Sequence, residues 1–288
     1  MGQTTTIFPG LKKAYRTLVK NKFVDNLVHK TLDYGVSGFS TIRRFEFPKK
    51  FNWDWKLEML LWKYEKETVN LFRQIIKPGM TIVDVGAHVG YFTRLYSSLV
   101  GPNGKVYAFE ASPQNFAILK RNTKNLTNVT LYKLAVSDKT GWINFDETEN
   151  NTGCHSLIPS KNRPGKTMIQ SISLDEMLKN GQLQNIDLIK MDIEGAEPIA
   201  FEGMKNVIDN NPNIGLIIEF CPDNLLEGSI SAKDFITRLH NSALRTYAIT
   251  EDGLKEITPE ANTKGNYFLK KHYVNIYCTK EPMEELTN

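Results

Sequence analysis

The sequence predicts an α/β fold in which seven main strands form a mostly parallel, doubly wound sheet with helices on both faces. From Pro78 onward, short β-branched or apolar runs alternate with helical patterns, which is typical of a parallel sheet with crossover helices. A glycine-rich turn joins the first of these strands to the helix that follows it. Residues 186–191 are almost wholly apolar, as expected of a strand buried on both faces.

The elements follow in order along the chain. We predict main strands at 81–85, 105–109, 129–136, 186–191, 214–220, 245–249 and 273–278, with two short strands at 142–145 and 168–172. Helices are predicted at 55–76, 91–99, 113–122 and 232–241, and another begins at Ser173, where Glu176 completes a capping box. Because ligands of such sheets bind outside the carboxyl ends of the strands, we expect the site there.

Composition excludes several classes of protein. The 288 residues are 41% apolar and 24% charged, which is typical of a soluble globular chain. No apolar run approaches the about 18 residues of a membrane-spanning helix, and the first residues lack a signal-peptide pattern. The cysteines Cys154, Cys221 and Cys278 are odd in number and far apart, so we expect a reducing, cytoplasmic setting. The net charge of +4 is too mild to indicate nucleic-acid binding.

The amino-terminal region is unusually basic. Residues 1–50 contain ten Lys or Arg against three Asp or Glu, a local charge of +7. Residues 11–32 have apolar side chains at helical spacing, which predicts a basic amphipathic helix. Two interpretations stay open: the helix packs on the main domain, or it meets an anionic partner such as a membrane surface or an acidic glycan.

The turn after the first strand indicates a nucleoside site. Gly86 and Gly90 allow the backbone to turn sharply, and the helix that follows offers free N–H donors. Glu110 stands twenty residues after Gly90 at the end of the next strand, where a carboxylate can accept two hydrogen bonds from a ribose. Strand, glycine turn, helix, strand and acid together predict a nucleoside-binding arrangement.

Two residues favour S-adenosylmethionine over a dinucleotide. His88 occupies the position of the second glycine in the dinucleotide fingerprint, where a bulky side chain obstructs a pyrophosphate. Asp84 would repel a pyrophosphate but suits a cation such as a sulfonium or an ammonium. A methyltransferase is therefore favoured over a nicotinamide-dependent oxidoreductase, and a non-catalytic nucleoside-binding scaffold is the alternative from a different class.

Four motifs carry a resemblance to a known family. They are VDVGAHVGYFT at 83–93, FEASP at 109–113, AVSD at 135–138 and KMDIEGAE at 190–197. In this order, over about residues 67–222, the chain resembles the FkbM-type methyltransferases. The resemblance implies a class I, Rossmann-like domain at 67–288 after a basic helical extension at 1–66. It also implies O-methylation, with S-adenosylmethionine, of a hydroxyl on a glycan or small metabolite.

The same resemblance implies a set of cofactor contacts. Gly86, Ala87 and Gly90 are expected against the methionine moiety, and Glu110 is expected to bind the ribose. The other candidate cofactor-binding residues are Asp84, His88, Ser112, Asn115, Ser137 and Asp138. Asp138 is expected to accept from the adenine amine, although Ser-Asp-Lys-Thr-Gly is also ordinary turn chemistry.

Acidic residues at the ends of two strands are the candidate catalytic groups. Asp192 and Glu194 follow one buried strand and Glu219 lies in the next, so these carboxylates are expected to face one cavity. Glu194 and Glu197 could instead only charge the first turn of a helix. A general base and a divalent metal held by the acids both remain open. His155, in a polar loop that the resemblance puts near the acceptor, is the second candidate base.

Overall fold

The structure is a computed structural model that describes residues 35–36, 38, 40–48, 51, 53–61, 63–147, 155–158, 165–259 and 273–283. The predicted basic helix at 11–32 and Cys154 lie outside the described residues. Within the described ranges, no helix has the length and apolar character needed to cross a membrane.

Helices and strands alternate through the central part of the chain. The helices are α1 Trp53–Leu60, α2 Lys66–Ile75, α3 Tyr91–Val100, α4 Pro113–Thr123, α5 Leu174–Lys179, α6 Glu197–Glu202, α7 Lys205–Asn210, α8 Pro222–Glu227 and α9 Ala232–Asn241. The strands are β1 Thr81–Val85, β2 Lys105–Phe109, β3 Val129–Tyr132, β4 Ala135–Val136, β5 Gly141–Glu147, β6 Gly165–Ile172, β7 Leu188–Met191, β8 Gly215–Phe220, β9 Arg245–Thr250, β10 Gly253–Ile257 and β11 Val274–Thr279.

Serine side chains define where three helices begin. Ser112, Ser173 and Ser231 precede α4, α5 and α9, and each hydroxyl accepts a hydrogen bond from the backbone N–H three residues later, at 3.5, 3.2 and 3.1 Å. Such caps satisfy one of the N–H groups that have no partner within the helix. The predicted helix start at Ser173 is confirmed.

The main sheet has the order β10-β9-β11-β8-β7-β1-β2-β3. From β8 to β3 neighbouring strands are parallel, whereas β11 is antiparallel to both β8 and β9. The predicted mostly parallel sheet is therefore confirmed. Its strand number differs, because the chain turns back at Glu251 and Asp252 and β10 pairs with β9 as an eighth strand.

A second, three-stranded sheet corrects one predicted strand. Residues 129–136 do not form a single strand: β3 ends at Tyr132 at the edge of the main sheet, whereas Ala135 and Val136 pair with Ser171 and Ile172 of β6. The small sheet has the order β4-β6-β5. Val136 is 2% exposed and lies in the core on one face of the main sheet. The sequence pattern missed this change of sheet because hydrophobic periodicity shows that a strand is buried but not which strand it pairs with.

The predicted helix at 55–76 is also wrong in one respect, because it is two helices. Lys63 and Tyr64 donate their backbone N–H groups to Glu58 O, closing the end of α1, and Glu65 begins α2 with a left-handed φ of 47°. The Tyr64 ring packs edge-on against Tyr91 at 5.6 Å. The break directs the side chain of Glu65 toward the sheet.

The two faces of the main sheet pack against different sets of helices. Val83, Val85 and Met191 face a core that includes α5 to α9, whereas Ile82 and Leu188 face a core that includes α2 and α3. The second core also contains buried residues from the amino-terminal segment, namely Val36, Phe45, Phe51, Met59 and Leu60. Helices thus cover both faces as predicted, while the domain boundary at residue 66 stays a prediction.

Candidate active site

The glycine turn after β1 lies directly against the chain that follows β7. Gly86 and Gly90 have left-handed φ values of 82° and 88°, and the N–H groups of Gly86 and Ala87 donate to Phe109 O at 3.0 and 2.9 Å. A Cβ added to Gly86 would lie 2.0 Å from the carbonyl oxygen of Asp192. Only glycine permits this approach, which brings the predicted cofactor turn beside the predicted catalytic acids.

Glu110 connects the ends of β1 and β2. Its carboxylate accepts the backbone N–H of His88 at 2.8 Å through one oxygen and that of Ser112 at 2.8 Å through the other, and the Asn115 side chain also bonds to it. Burial raises the pKa of Glu110 to about 7, against these hydrogen bonds. The two carboxylate oxygens offer about four acceptor positions in all, so Glu110 keeps capacity for a ribose hydroxyl.

Asp84 is wholly buried in the middle of the site. One of its oxygens accepts the hydroxyl of Thr93 at 2.6 Å, and the other has no hydrogen-bond partner among the described residues. Its neighbour in the register of β1 and β7 is Lys190. Burial raises the pKa of Asp84 and the Lys190 ammonium opposes that shift. The cation that Asp84 faces in the described structure is therefore a lysine.

Ser137 and Asp138 lie in a different place from the one the sequence predicts. They follow β4 of the small sheet rather than the third strand of the main sheet. The buried Ser137 donates its hydroxyl to the exposed Asp138 at 2.9 Å. The role of both residues at the adenine stays a prediction.

The structure brings the three predicted catalytic acids together. Met191 and Ile218 are aligned in the parallel strands β7 and β8, so Asp192 and Glu219 are neighbours at the same level. Glu194 follows in a left-handed turn with a φ of 55°. Carboxylate oxygens of Asp192, Glu194 and Glu219 lie within 4.8 Å of one another. We call these three residues the acid cluster.

Lys190 is a charged member of the site that sequence reasoning missed. Its ammonium is 2.8 Å from Asp192 Oδ2 and 4.9 Å from the centre of the Phe92 ring, and the residue is only 3% exposed. An ionisable side chain within an otherwise apolar strand was the available signal. The length of a lysine allows its ammonium to reach the end of the strand from inside the sheet.

The charges of the acid cluster are unequal. Burial alone would raise the pKa of Asp192, but Lys190 and a hydrogen bond from Glu219 hold it below the usual range. Burial, followed by the charge of Asp192, raises the pKa of Glu219 well above its ordinary value. Of the two carboxyl groups, Glu219 is therefore the one that binds a proton more readily, and Asp192 is the one that ionises more readily.

A second missed contact joins the amino-terminal segment to the sheet. Asn275 in β11 is aligned with Glu219 in β8, and its amide donates to Glu65 at 2.6 Å and to Thr68 at 2.9 Å. Burial raises the pKa of Glu65 to about 7, and the charge of Asp192 adds to that shift. Glu65 thus adds a further carboxyl group to the acidic site, next to Asn275 of β11.

Glu194 and Glu197 have different roles. Glu194 accepts from the side chain of Asn224 at 2.8 Å within the acid cluster. Glu197 is 1% exposed and accepts the backbone N–H groups of Ile193 and Gly195 at 2.9 and 3.0 Å. Glu197 therefore holds the shape of the turn that carries Glu194, in addition to starting α6.

Two histidines approach the acid cluster. The His88 ring packs against Phe51 with centroids 5.5 Å apart; burial lowers its pKa to about 4, opposed by the charge of Asp192. The His155 ring lies 5.7 Å from that of Phe145. Its neighbour Ser156 donates to the backbone carbonyl of Glu194 at 2.8 Å. The backbone next to His155 is thus attached to the turn that carries Glu194, and the role of His155 as a base stays a prediction.

This topology and this site define a class I methyltransferase that uses S-adenosylmethionine. The antiparallel strand β11 lies between the mutually parallel β8 and β9, the glycine turn follows β1 and the acid Glu110 follows β2. The chain belongs to the FkbM methyltransferase family, since the model of the methyltransferase FkbM domain matches residues 84–253. The predicted methyltransferase is confirmed, and the nicotinamide-dependent alternative is set aside.

Two relatives illustrate the similarity. The 2-O-methyltransferase NoeI of Sinorhizobium fredii is 26% identical over 191 residues, which are 60% of this chain and 77% of that protein. The hexuronic acid methyltransferase AglP of Haloferax volcanii is 23% identical over 158 residues, which are 54% of this chain and 62% of that protein.

Solved structures show lower similarity. The fibrillarin of Aeropyrum pernix, solved with bound S-adenosylmethionine, is 14% identical with a TM-score of 0.42 and covers 74% of each chain. The precorrin-6y C5,15-methyltransferase of Geobacter metallireducens is 16% identical with a TM-score of 0.43, covering 76% of this chain and 90% of that one.

Proposed function

We propose that the protein transfers a methyl group from S-adenosylmethionine to a hydroxyl group of a sugar, in a glycan or a small metabolite. The observation that carries this proposal is the close approach of the glycine turn to the acid cluster. A Cβ on Gly86 would clash with the backbone carbonyl oxygen of Asp192. A donor bound at the turn and an acceptor bound at the acids would therefore be adjacent. The name of the relative AglP, a hexuronic acid methyltransferase, supports a sugar as the acceptor.

The residues at the turn fit the proposed cofactor. Glu110 keeps acceptor capacity for a ribose hydroxyl beside its bonds to His88 and Ser112. Gly86 and Gly90 have the left-handed φ values that the sharp turn requires, and the methionine moiety would lie against this turn. S-adenosylmethionine supplies an electrophilic methyl group on a sulfonium. The excess of carboxylates over ammonium groups around Lys190 favours binding of such a cation.

The acid cluster would position the acceptor hydroxyl. Asp192 accepts hydrogen bonds from Lys190 and Glu219, and a further lone pair can accept from a hydroxyl and direct its oxygen at the methyl group. Holding two reactants in line removes much of the entropic barrier to transfer. Asp192 would also take up the proton as the new bond forms, with His155 as the second candidate base.

Binding of a divalent metal is a second candidate role for the acid cluster. Asp192, Glu194 and Glu219 offer three oxygens within 4.8 Å, as Mg²⁺ or Mn²⁺ would require. Lys190 already compensates Asp192 at 2.8 Å, which favours the metal-free route. Treatment with a chelator tests this: activity that is lost and then restored by magnesium would establish the metal route.

The decisive experiment separates binding from chemistry. In calorimetry, S-adenosylhomocysteine should bind and NAD should not. Asp192→Asn should bind S-adenosylhomocysteine normally yet lose most methyl transfer to uronic acid and neutral sugar acceptors, because Asn keeps the shape and removes the charge. Normal turnover of Asp192→Asn would reduce the acid cluster to a structural feature. Cofactor binding without transfer to any sugar would contradict the acceptor class.

We also propose that the basic region at 1–34 contacts an anionic surface. Residues 1–34 contain six of the ten Lys and Arg residues of the first 50, against two Asp, which is a local charge of +4. Attraction of this kind is strong at low salt and weak at high salt.

A further inference from the structure

The small sheet presents an exposed face of unusual composition. Trp142 is 63% exposed and Met168 is 53% exposed, and Asn144 and Gln170 on the same strands are exposed as well. The opposite face is apolar and packed: Phe145 and Ile169 are buried in one cluster, and the partly buried Ile143 packs against it. We call the exposed set of Trp142, Asn144, Met168 and Gln170 the Trp142 face.

The strand register places these four side chains together. Trp142 is paired with Gln170 and Asn144 with Met168 across the antiparallel strands β5 and β6. Cross-strand pairs of this kind have Cβ atoms about 5 Å apart and share one face of the sheet. The indole and the thioether thus lie on one diagonal, and two amides lie on the other.

This chemistry fits a sugar ring. A pyranose has an apolar C–H face that can lie on an indole, and hydroxyl groups at its edge that exchange hydrogen bonds with amides. None of the four side chains is charged, so the face does not attract an anionic membrane. Two exposed apolar side chains also fall short of the roughly 800 Å² that each partner buries in a stable protein interface.

Strand β5 leads from the Trp142 face toward the candidate active site. Further along β5, Asp146 lies two residues after Asn144 and forms a bridge with Ser156. On the opposite face of the strand, the Phe145 ring packs against the His155 ring with centroids 5.7 Å apart. Ser156 in turn donates to the carbonyl of Glu194 at 2.8 Å. Trp142 and Asp146 are four residues apart, about 13 Å along a strand, a distance that several linked sugars span.

We propose that the Trp142 face binds sugar units of the acceptor beyond the one that is methylated, so that the acceptor is an oligosaccharide. This inference rests on the proposed function, because it extends the sugar site at the acid cluster outward along β5. Its consequence is a preference for chain length: oligosaccharides should bind more tightly than the monosaccharide at their methylated end.

The test compares Trp142→Ala with a control variant, Leu226→Ala. Leu226 is another apolar residue that is 60% exposed, and it lies in α8, away from the small sheet. Mono-, di- and hexasaccharides of neutral and uronic sugars are titrated into ¹⁵N-labelled protein, and the indole N–H signal of Trp142 is followed. We expect that signal to shift only with the longer sugars. In Trp142→Ala, the KM for oligosaccharides should rise about three- to tenfold, with kcat and the monosaccharide KM unchanged.

The outcomes distinguish this inference from the proposed function. If Trp142→Ala matches the control for every chain length, or no sugar shifts the indole signal, the inference is overturned while transfer to sugars can still stand. If the indole signal shifts but no sugar is methylated, the proposed function fails and the face remains a sugar site. A dimer that dissociates only in Trp142→Ala would identify the face as a contact between copies and overturn the inference.

Discussion

At the scale of single residues, Lys190 governs the charge balance of the site. Removing its ammonium would leave Asp192 and Asp84 buried without a compensating charge. We expect Lys190→Met to lower the free energy of unfolding by about 3–5 kcal/mol, as for other broken buried ion pairs. Urea denaturation measures this change. Lys205→Met is the control, since Lys205 pairs with Glu202 at the surface, where such pairs contribute about 0–1 kcal/mol.

The double variant identifies the mechanism of that loss. Adding Asp192→Asn to Lys190→Met removes the stranded charge, so part of the lost stability should return. Strictly additive losses in the double variant would mean that Lys190 stabilises the fold through packing on Phe92 rather than through charge.

Glu110 should make cofactor affinity depend on pH. Its pKa is about 7 in the free protein, and ribose hydroxyls bind best to the ionised carboxylate, which lowers that pKa in the complex. Affinity for S-adenosylhomocysteine should therefore reach its maximum above about pH 8. It should fall as the pH drops below about 7, by at most about tenfold for each pH unit.

Glu110→Gln should remove this dependence. The variant should bind S-adenosylhomocysteine more weakly above about pH 8, by about 1–3 kcal/mol, with a nearly flat profile in calorimetry at lower pH. A wild-type profile that persists in Glu110→Gln would assign the titration to another group.

At the scale of elements, the turn after β1 depends on glycine for two separate reasons. Gly86 has a φ of 82° and its added Cβ would meet Asp192 O at 2.0 Å, whereas Gly79 has a φ of 91° and no atom within 4 Å of its added Cβ. Gly79→Ala should therefore cost only backbone strain, about 1–2 kcal/mol. Gly86→Ala should cost about 1–3 kcal/mol more and weaken cofactor binding.

Thermal unfolding and calorimetry on the two glycine variants measure these effects. Because both positions share a left-handed backbone, the difference between them isolates the close approach of the turn to the acid cluster. Equal losses in the two variants, with unchanged cofactor affinity, would show that this approach carries no functional constraint.

Sequence patterns predicted the elements that depend on local signals. The alternation of strands, the glycine turn and the adjacency of Asp192 to Glu219 follow from hydrophobic periodicity and from the geometry of parallel strands. The contact between Glu65 and Asn275 joins residues 210 apart and depends on the break between α1 and α2. No local sequence pattern encodes that contact. The pairing of β4 with β6 is likewise not encoded by a local pattern.

At the scale of the whole molecule, the amino-terminal segment is part of the core. Val36 and Phe45 are 7% and 8% exposed in the cluster that covers one face of the main sheet. The backbone of Glu46 exchanges hydrogen bonds of 2.7 and 2.9 Å with the side chain of Asn122, which also donates to Val89 O beside the glycine turn at 2.7 Å. This segment therefore supports the turn that is expected to bind the cofactor.

Two truncations should consequently behave differently. Deleting residues 1–50 removes Val36, Phe45 and the backbone partners of Asn122, and each lost apolar side chain is worth about 1.5–3 kcal/mol. The Tm should then fall by about 2–4 °C for each kcal/mol of lost free energy of unfolding, and S-adenosylhomocysteine should bind more weakly. Deleting residues 1–34 leaves these contacts in place, so Tm and cofactor affinity should stay near those of the full chain.

The shorter deletion also tests the proposed anionic contact. Residues 1–34 include most of the basic side chains of the first 50, so the full chain should sediment with phosphatidylserine vesicles at low salt and be released as salt is raised. The chain lacking residues 1–34 should not sediment, while neutral vesicles control for apolar adsorption. If the full chain binds neither vesicle, the basic region has no role at a membrane surface. If deleting 1–34 lowers the Tm as much as deleting 1–50, its helix instead packs on the fold.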